Sequence, residues 1–371
     1  MIGIFTLSAS DNCGSCLQAY ALKTILEELS NEDVEIINFT TKESHFQYDI
    51  LPVGKLKYVK ETFFRIININ KLKFEKNSYK RFRKNYLNIN VEIEIYPQDL
   101  NKISTRYRMV FFGSDQIWNV KMSDFNKAFF GGWTDKPKIA ISASMGGHDI
   151  EEAREYKEFL NNIEKFKLIS VREKKAKLCL ERNLKKTIPV LLDPTLLLKT
   201  DDWLKLIGEP IVKEKYIFYY SWGYCCNETM QIVKEVNSDL KLPIYVIDSH
   251  KWVKQKPDKK GFIMCKEQGP LAFLNLMYYS SLSYVESFHG AIFAYIFKKN
   301  FWVLDTHFNY DEIDARLKEL IELFNVQNRI LTPYNYSDIN VLQDIDYQNK
   351  IDFDDRRTKT IEFISEGLNK V

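Results

Sequence analysis

Short apolar runs alternate with stretches of helical period along nearly the whole chain, and no other feature restricts the fold as much. Ile2–Leu7 predicts a buried strand, Asn12–Gly14 a turn and Ser15–Leu29 a helix whose Leu17, Tyr20, Ala21, Ile25 and Leu29 share one stripe. Val34–Phe39 reads as the next strand, which completes a βαβ opening. Further on, "RMVFFGSDQIW" and "KIAISASMGG" each deliver glycine and polar residues just past a strand. From "KLISVRE" onward, strands are predicted at "PVLLD", "KYIFYYS", "LPIYVID", "SYVES" and "FWVLD". Helices are predicted over 151–166, 174–182, 228–236 and 270–279, and from His289. Alternation of this kind means parallel sheets joined by right-handed crossovers.

A chain of 371 residues exceeds what one core usually fills. With a break near residue 166, the expected fold class is α/β: two Rossmann-like lobes with parallel sheets, spanning 1–166 and 167–340, with a cleft between them. Residues near 55–86 read as a basic helical insertion in the first lobe. The tail 341–371 carries a last helix, Asp354–Leu368, open to either lobe and expected to pack back on the first.

Lys and Arg total 53 against 50 Asp and Glu, a net charge of +3 that gives no general case for nucleic acid as a partner. The distribution is uneven. Lys55, Lys57, Lys60, Arg65, Lys71, Lys73, Lys76, Lys80, Arg81, Arg83 and Lys84 face only Glu61 and Glu75, with Phe63, Phe64, Phe74, Tyr79 and Phe82 interleaved. Such a segment suits an anionic membrane surface or a polyanionic ligand, or else a solvated helical face. The opening "MIGIFTLSASDN" lacks the basic start of a signal peptide and no long apolar run follows, so a cytoplasmic chain is expected, peripheral on the inner face of a membrane if the basic segment docks there. Cysteines 13, 16, 179, 225, 226 and 265 have no framework spacing and are expected as reduced thiols; neither a metal nor a cofactor is expected.

Ligands of open parallel sheets bind outside the carboxyl ends of the strands, which singles out candidates before any chemistry is assumed. They are Asn12–Ser15, Gly113–Asn119, Ser144–His148, Arg172 and Glu173, Asp193 and Pro194, and Glu286–Gly290. In "ESFHG", Ser287 can cap the helix that begins near His289, and Gly290 can admit a ligand to the exposed N–H groups of its first turn. An imidazole there can shuttle a proton according to ligand occupancy. Arg172, directly after "LISV", can hold a carboxylate or phosphate through two parallel bonds, or else form a salt bridge. Ser114 and Asp115 offer a hydroxyl and a carboxylate. "DNCGS" has neither GxGxxG nor GK[ST], which removes support for dinucleotide chemistry and for ATP hydrolysis.

Taken in order, "NCGSCLQAYAL", "GSDQIWN", "ISASMGG", "ISVREKKAKLCL", "LLDPTLLL" and "ESFHGAIFAYIFKKNF" resemble the polysaccharide pyruvyl transferase family over about residues 3–305. The resemblance implies a GT-B-like pair of lobes and transfer of a pyruvyl group from phosphoenolpyruvate to two hydroxyls of a lipid- or nucleotide-linked sugar, giving a carboxyethylidene ketal. On that reading His289 is the acid and Asp115 the base or acceptor-orienting carboxylate. Arg172, Ser287, Phe288, Gly290, Gly113, Ser114, Asn12, Gly14, Ser15, Gln18 and Ser144 are the substrate-binding candidates. The family's arginine two residues before the histidine is Ser287 here, so its charge must come from elsewhere, with Lys254, Lys256 and Lys266 as candidates. A tyrosine commonly following the Asn is replaced by Cys13. The competing readings are a glycosyltransferase of the same fold using a nucleotide-sugar, and a non-catalytic glycan or lipid-linked-sugar binding protein.

Overall fold

The structure is a computed structural model describing residues 1–51, 59–221, 224, 226–253, 255–305, 315–347 and 354–370. Lys55, Lys57, Cys225 and Lys254, weighed above, lie outside the described residues. The chain forms two compact units. The first is built from 1–53, 80–198 and 353–371, the second from 54–79 and 199–352.

The first unit holds a five-stranded parallel sheet of β1 (Ile2–Phe5), β2 (Val34–Ile36), β3 (Met109–Gly113), β4 (Lys138–Ala143) and β5 (Leu168–Val171), in the order β2-β1-β3-β4-β5. Ile4 pairs with Phe111 and Phe112 with Ala140. β1, β3 and β4 are buried along their length, as expected of a sheet covered on both faces. Much of the packing is aromatic: the Phe5 ring lies 4.8–5.4 Å from those of Phe39, Phe112, Phe129 and Trp133.

The second unit holds a six-stranded parallel sheet of β6 (Ile217–Tyr220), β7 (Ile244–Val246), β8 (Ile263–Met264), β9 (Leu282–Val285), β10 (Phe301–Leu304) and β11 (Ile330–Leu331), in the order β11-β10-β9-β6-β7-β8. Tyr219 pairs with Tyr284, and Val303 with Val285. Its core gathers Tyr219, Tyr224, Trp252, Phe262, Tyr284 and Trp302.

Three expectations are corrected here, the first being that the basic insertion near 55–86 belongs to the first lobe: residues 54–79 fall in the second unit. The first unit runs to Leu198 rather than 166, because β5 pairs with β4 and is the edge of the first sheet. "PVLLD" is not a full strand: Val190 makes only an isolated bridge to Val171. The helix Asp354–Leu368 lies in the first unit, where Thr360 Oγ1 accepts from Leu192 N at 3.3 Å and Arg108 Nη1 donates to Leu368 O at 3.4 Å. A methyl group on Gly367 would come within 3.2 Å of Ile139.

The basic segment comprises the helices Val59–Ile67 and Ile69–Tyr86. In the second helix, Leu72, Glu75, Tyr79, Phe82 and Arg83 recur at helical spacing and are buried, while Lys73, Lys80, Arg81 and Lys84 are exposed. Arg83 is therefore no surface charge. Its guanidinium donates to Ser8 O at 2.9 Å and Ala9 O at 3.0 Å and pairs with Asp11 at 2.5 Å. Glu75, the only acid between 62 and 91, accepts from His250 N at 2.9 Å and meets His250 Nδ1 at 2.6 Å. Among the described residues no helix is long and apolar enough to cross a membrane.

Candidate active site

In the first unit the predicted residues gather at the carboxyl ends of β1, β3 and β4. Asn12 caps the helix Cys13–Ser30, with Gly14 in its first turn, by accepting from Ser15 N at 3.1 Å. Ser15 Oγ donates to Asp115 Oδ2 at 2.5 Å, and Gln116 N donates to Asp115 Oδ1 at 2.8 Å. Asp115 thus stands at the end of β3 with both oxygens engaged, in the left-handed region at φ 67°. Before it, Gly113 has φ 109°, and a Cβ there would meet Ile141 O at 2.5 Å, so only glycine fits. The Gly113–Ser114 peptide is cis.

Several candidates are committed inward. Gln18 Nε2 donates to Thr6 Oγ1 at 2.8 Å and Ser15 O at 3.1 Å. Ser114 Oγ lies 2.8 Å from Ser142 O and 3.2 Å from Asp193 Oδ2. Ser144 Oγ donates to Glu173 Oε1 at 3.0 Å, and the same oxygen accepts from Met145 N at 2.7 Å. These side chains fix the strand-end loops.

Arg172 needs the larger correction. Its side chain is 3% exposed and its Nη1 donates to the fully buried Asp193 Oδ2 at 2.8 Å, while Nη2 lies 3.9 Å from Asp115 Oδ1. The guanidinium offsets two buried carboxylates, so it is no open anion clamp. Asp193, in "LLDPT", was a strand-end candidate without a role. Its position before a proline and two residues from Thr195, whose N–H and hydroxyl it accepts at 3.0 and 2.7 Å, was the available signal.

In the second unit, Glu286 follows β9 and Ser287 caps the helix Phe288–Ile296, accepting from Gly290 N at 3.0 Å. Phe288 stands edge-on to His289 at 5.3 Å, and both are half-buried. The missing side chain of Gly290 serves packing against the strand ends. The residue is buried, and a Cβ would meet Ser287 Oγ at 2.8 Å and Tyr220 at 3.1 Å. Glu286 accepts from Tyr219 Oη and, at 2.6 Å, from Ser221 Oγ, and burial pushes its carboxyl above the usual range. Beneath the histidine helix, the ends of β6 and β9 are thereby joined.

The fold is shared with solved sugar-nucleotide enzymes. A putative UDP-N-acetylglucosamine 2-epimerase from Listeria monocytogenes matches at a TM-score of 0.54 with 10% identity, covering 98% of this chain and 90% of that one. A UDP-GlcNAc 2-epimerase from Methanocaldococcus jannaschii matches at 0.52 with 11% identity, covering 100% and 99%. At such identities the likeness is one of fold, and it defines the class: two parallel-sheet α/β units of GT-B-like type. No match was found among curated proteins. The family model "Polysaccharide pyruvyl transferase" matches residues 12–307, and the chain belongs to that family.

Proposed function

We propose that the protein transfers a pyruvyl group from phosphoenolpyruvate to two hydroxyls of a lipid- or nucleotide-linked sugar in a surface-polysaccharide precursor, releasing phosphate and forming a carboxyethylidene ketal. The observation that supports this reading best is the placement of the family's histidine. His289 sits in the first turn of a capped helix at the carboxyl end of β9, where the positive end of the helix dipole favours an anionic donor. His289 is assigned as the proton donor, and Asp115, held by Ser15 and its own loop, as the base or acceptor-orienting carboxylate. Arg172 keeps Asp115 and Asp193 compensated.

The test incubates the protein with phosphoenolpyruvate and a panel of lipid- and nucleotide-linked sugars, reading phosphate release and the mass of the acceptor. A pyruvate ketal on one acceptor, lost in His289→Ala, is the expected result. Release of nucleotide from a UDP-sugar without any ketal supports glycosyl transfer instead.

We also propose that the basic segment docks on an anionic membrane surface, where a lipid-linked acceptor would reside. Phe63, Ile66 and Ile67 are 60%, 53% and 63% exposed, and Lys71, Lys73, Lys80, Arg81 and Lys84 are exposed as well.

A further inference from the structure

Beside Asp115 lies a second carboxyl that the sequence motifs did not single out. Asp124, beyond the turn that follows β3, is 5% exposed, and its Oδ1 has no hydrogen-bond partner among the described residues. Buried carboxylate oxygens are nearly always satisfied, so an unspent acceptor at a strand-end loop points to a donor supplied from outside. Burial raises the Asp124 carboxyl and the charge of Asp115 adds to the shift, its own backbone N–H opposing both. Tyr48, ending the helix Lys42–Tyr48, is tied to the same loop: its hydroxyl accepts from Gln47 Nε2 at 3.1 Å, and Gln47 Oε1 accepts from Ser123 Oγ, beside Asp124, at 2.5 Å, while the charges of Asp124, Asp11 and Asp115 all act on the phenol.

The chemistry of this cluster selects its ligand. An anion would be repelled by three carboxylates. No set of three His, Cys, Asp or Glu suited to a metal ion occurs among the described residues. Arg83 already compensates Asp11, and Arg172 stands beside Asp115. What remains is a neutral donor of hydroxyl hydrogens, to which carboxylate and phenol oxygens are matched.

We propose that Asp124, Tyr48 and Asp115 form the subsite that binds the hydroxyls of the acceptor sugar. Its place in catalysis rests on the pyruvyl-transfer reading; the sugar binding does not. In that reaction two sugar O–H bonds break and two C–O bonds form at the central carbon of the donor. One proton ends on the methylene carbon as its double bond is lost, and the other leaves on inorganic phosphate as the bond between the central carbon and the phosphate oxygen breaks. Two hydroxyls must therefore be relieved of protons, and two neighbouring carboxyls can each take one in turn.

Saturation-transfer NMR tests the subsite without any donor, using methyl α-mannopyranoside, methyl β-galactopyranoside and methyl β-glucopyranoside as probes. Wild-type protein is expected to saturate at least one of them. Asp124→Leu should weaken that signal about tenfold, as loss of one charge-assisted hydrogen bond implies, and Tyr48→Phe about threefold. Because Tyr48→Phe removes a single oxygen, it keeps the test valid if Asp124→Leu fails to fold. Saturation undiminished in folded variants, or absent for every glycoside in wild type, overturns the proposal. Saturation lost in the variants while wild type makes no ketal from phosphoenolpyruvate supports the subsite and refutes only the transfer reading.

Discussion

Ser15 Oγ donates to Asp115 Oδ2 at 2.5 Å across 100 residues of sequence, joining the first turn of one helix to the tip of β3. A buried hydrogen bond to a carboxylate contributes about 2 kcal/mol, and here it also sets where the carboxylate points. Ser15→Ala is expected to lower stability by about that amount and turnover by about tenfold with the acceptor KM raised, measured by denaturant melts and phosphate release.

Arg172 and Asp193 are a buried pair, so each is costly without the other. Arg172→Met should destabilise the protein by about 3 kcal/mol, because it leaves Asp193 buried and uncompensated. Adding Asp193→Asn should recover part of that loss. A single variant as stable as wild type in urea would contradict the pairing.

Arg83 separates from its basic neighbours. Arg83→Ala should cost about 3 kcal/mol, since it frees the Asp11 carboxylate inside the first unit. Lys80→Glu, Arg81→Glu and Lys84→Glu together should leave the melting temperature nearly unchanged and weaken sedimentation with phosphatidylserine vesicles. Equal vesicle binding by the triple variant would reject membrane docking.

His250 supplies a pH dependence. Burial alone would lower its pKa, but the charge and hydrogen bond of Glu75 outweigh burial and the net direction is up from the usual 6.5. Of the other groups that act on it, Lys251 lowers it and Asp248 raises it. A raised folded-state pKa means that the stabilisation is complete below the unfolded value and is lost as pH rises through the folded one. The melting temperature should therefore fall as pH rises above about 6.5, and His250→Gln should flatten that slope in a fluorimetric pH series.

The elements most legible in sequence were those with a strong period. Pro270–Tyr279 and Asp354–Leu368 stand where predicted, and Phe288–Ile296 begins one residue early because Ser287 caps it. Shorter strands escaped notice: β8 and β11 have two residues each, too few to show a period. Position along the chain found the strand-end residues, but not what they touch. Nothing local marks Arg172 as paired with Asp193, Arg83 as a buried staple or Asp124 as unsatisfied, because each depends on contacts between distant segments. At Gly290, which the sequence offers as an opening for ligand, the space of the missing side chain is taken by the protein's own atoms.

The helix Asp354–Leu368 closes a unit whose sheet was begun by residues 2–5. During synthesis the first unit must wait until this last helix has left the ribosome, while the second has every strand of its sheet once residue 331 has emerged. Vectorial folding thus runs against the order of the chain, and Ile139, the neighbour of Gly367, meets that helix only late.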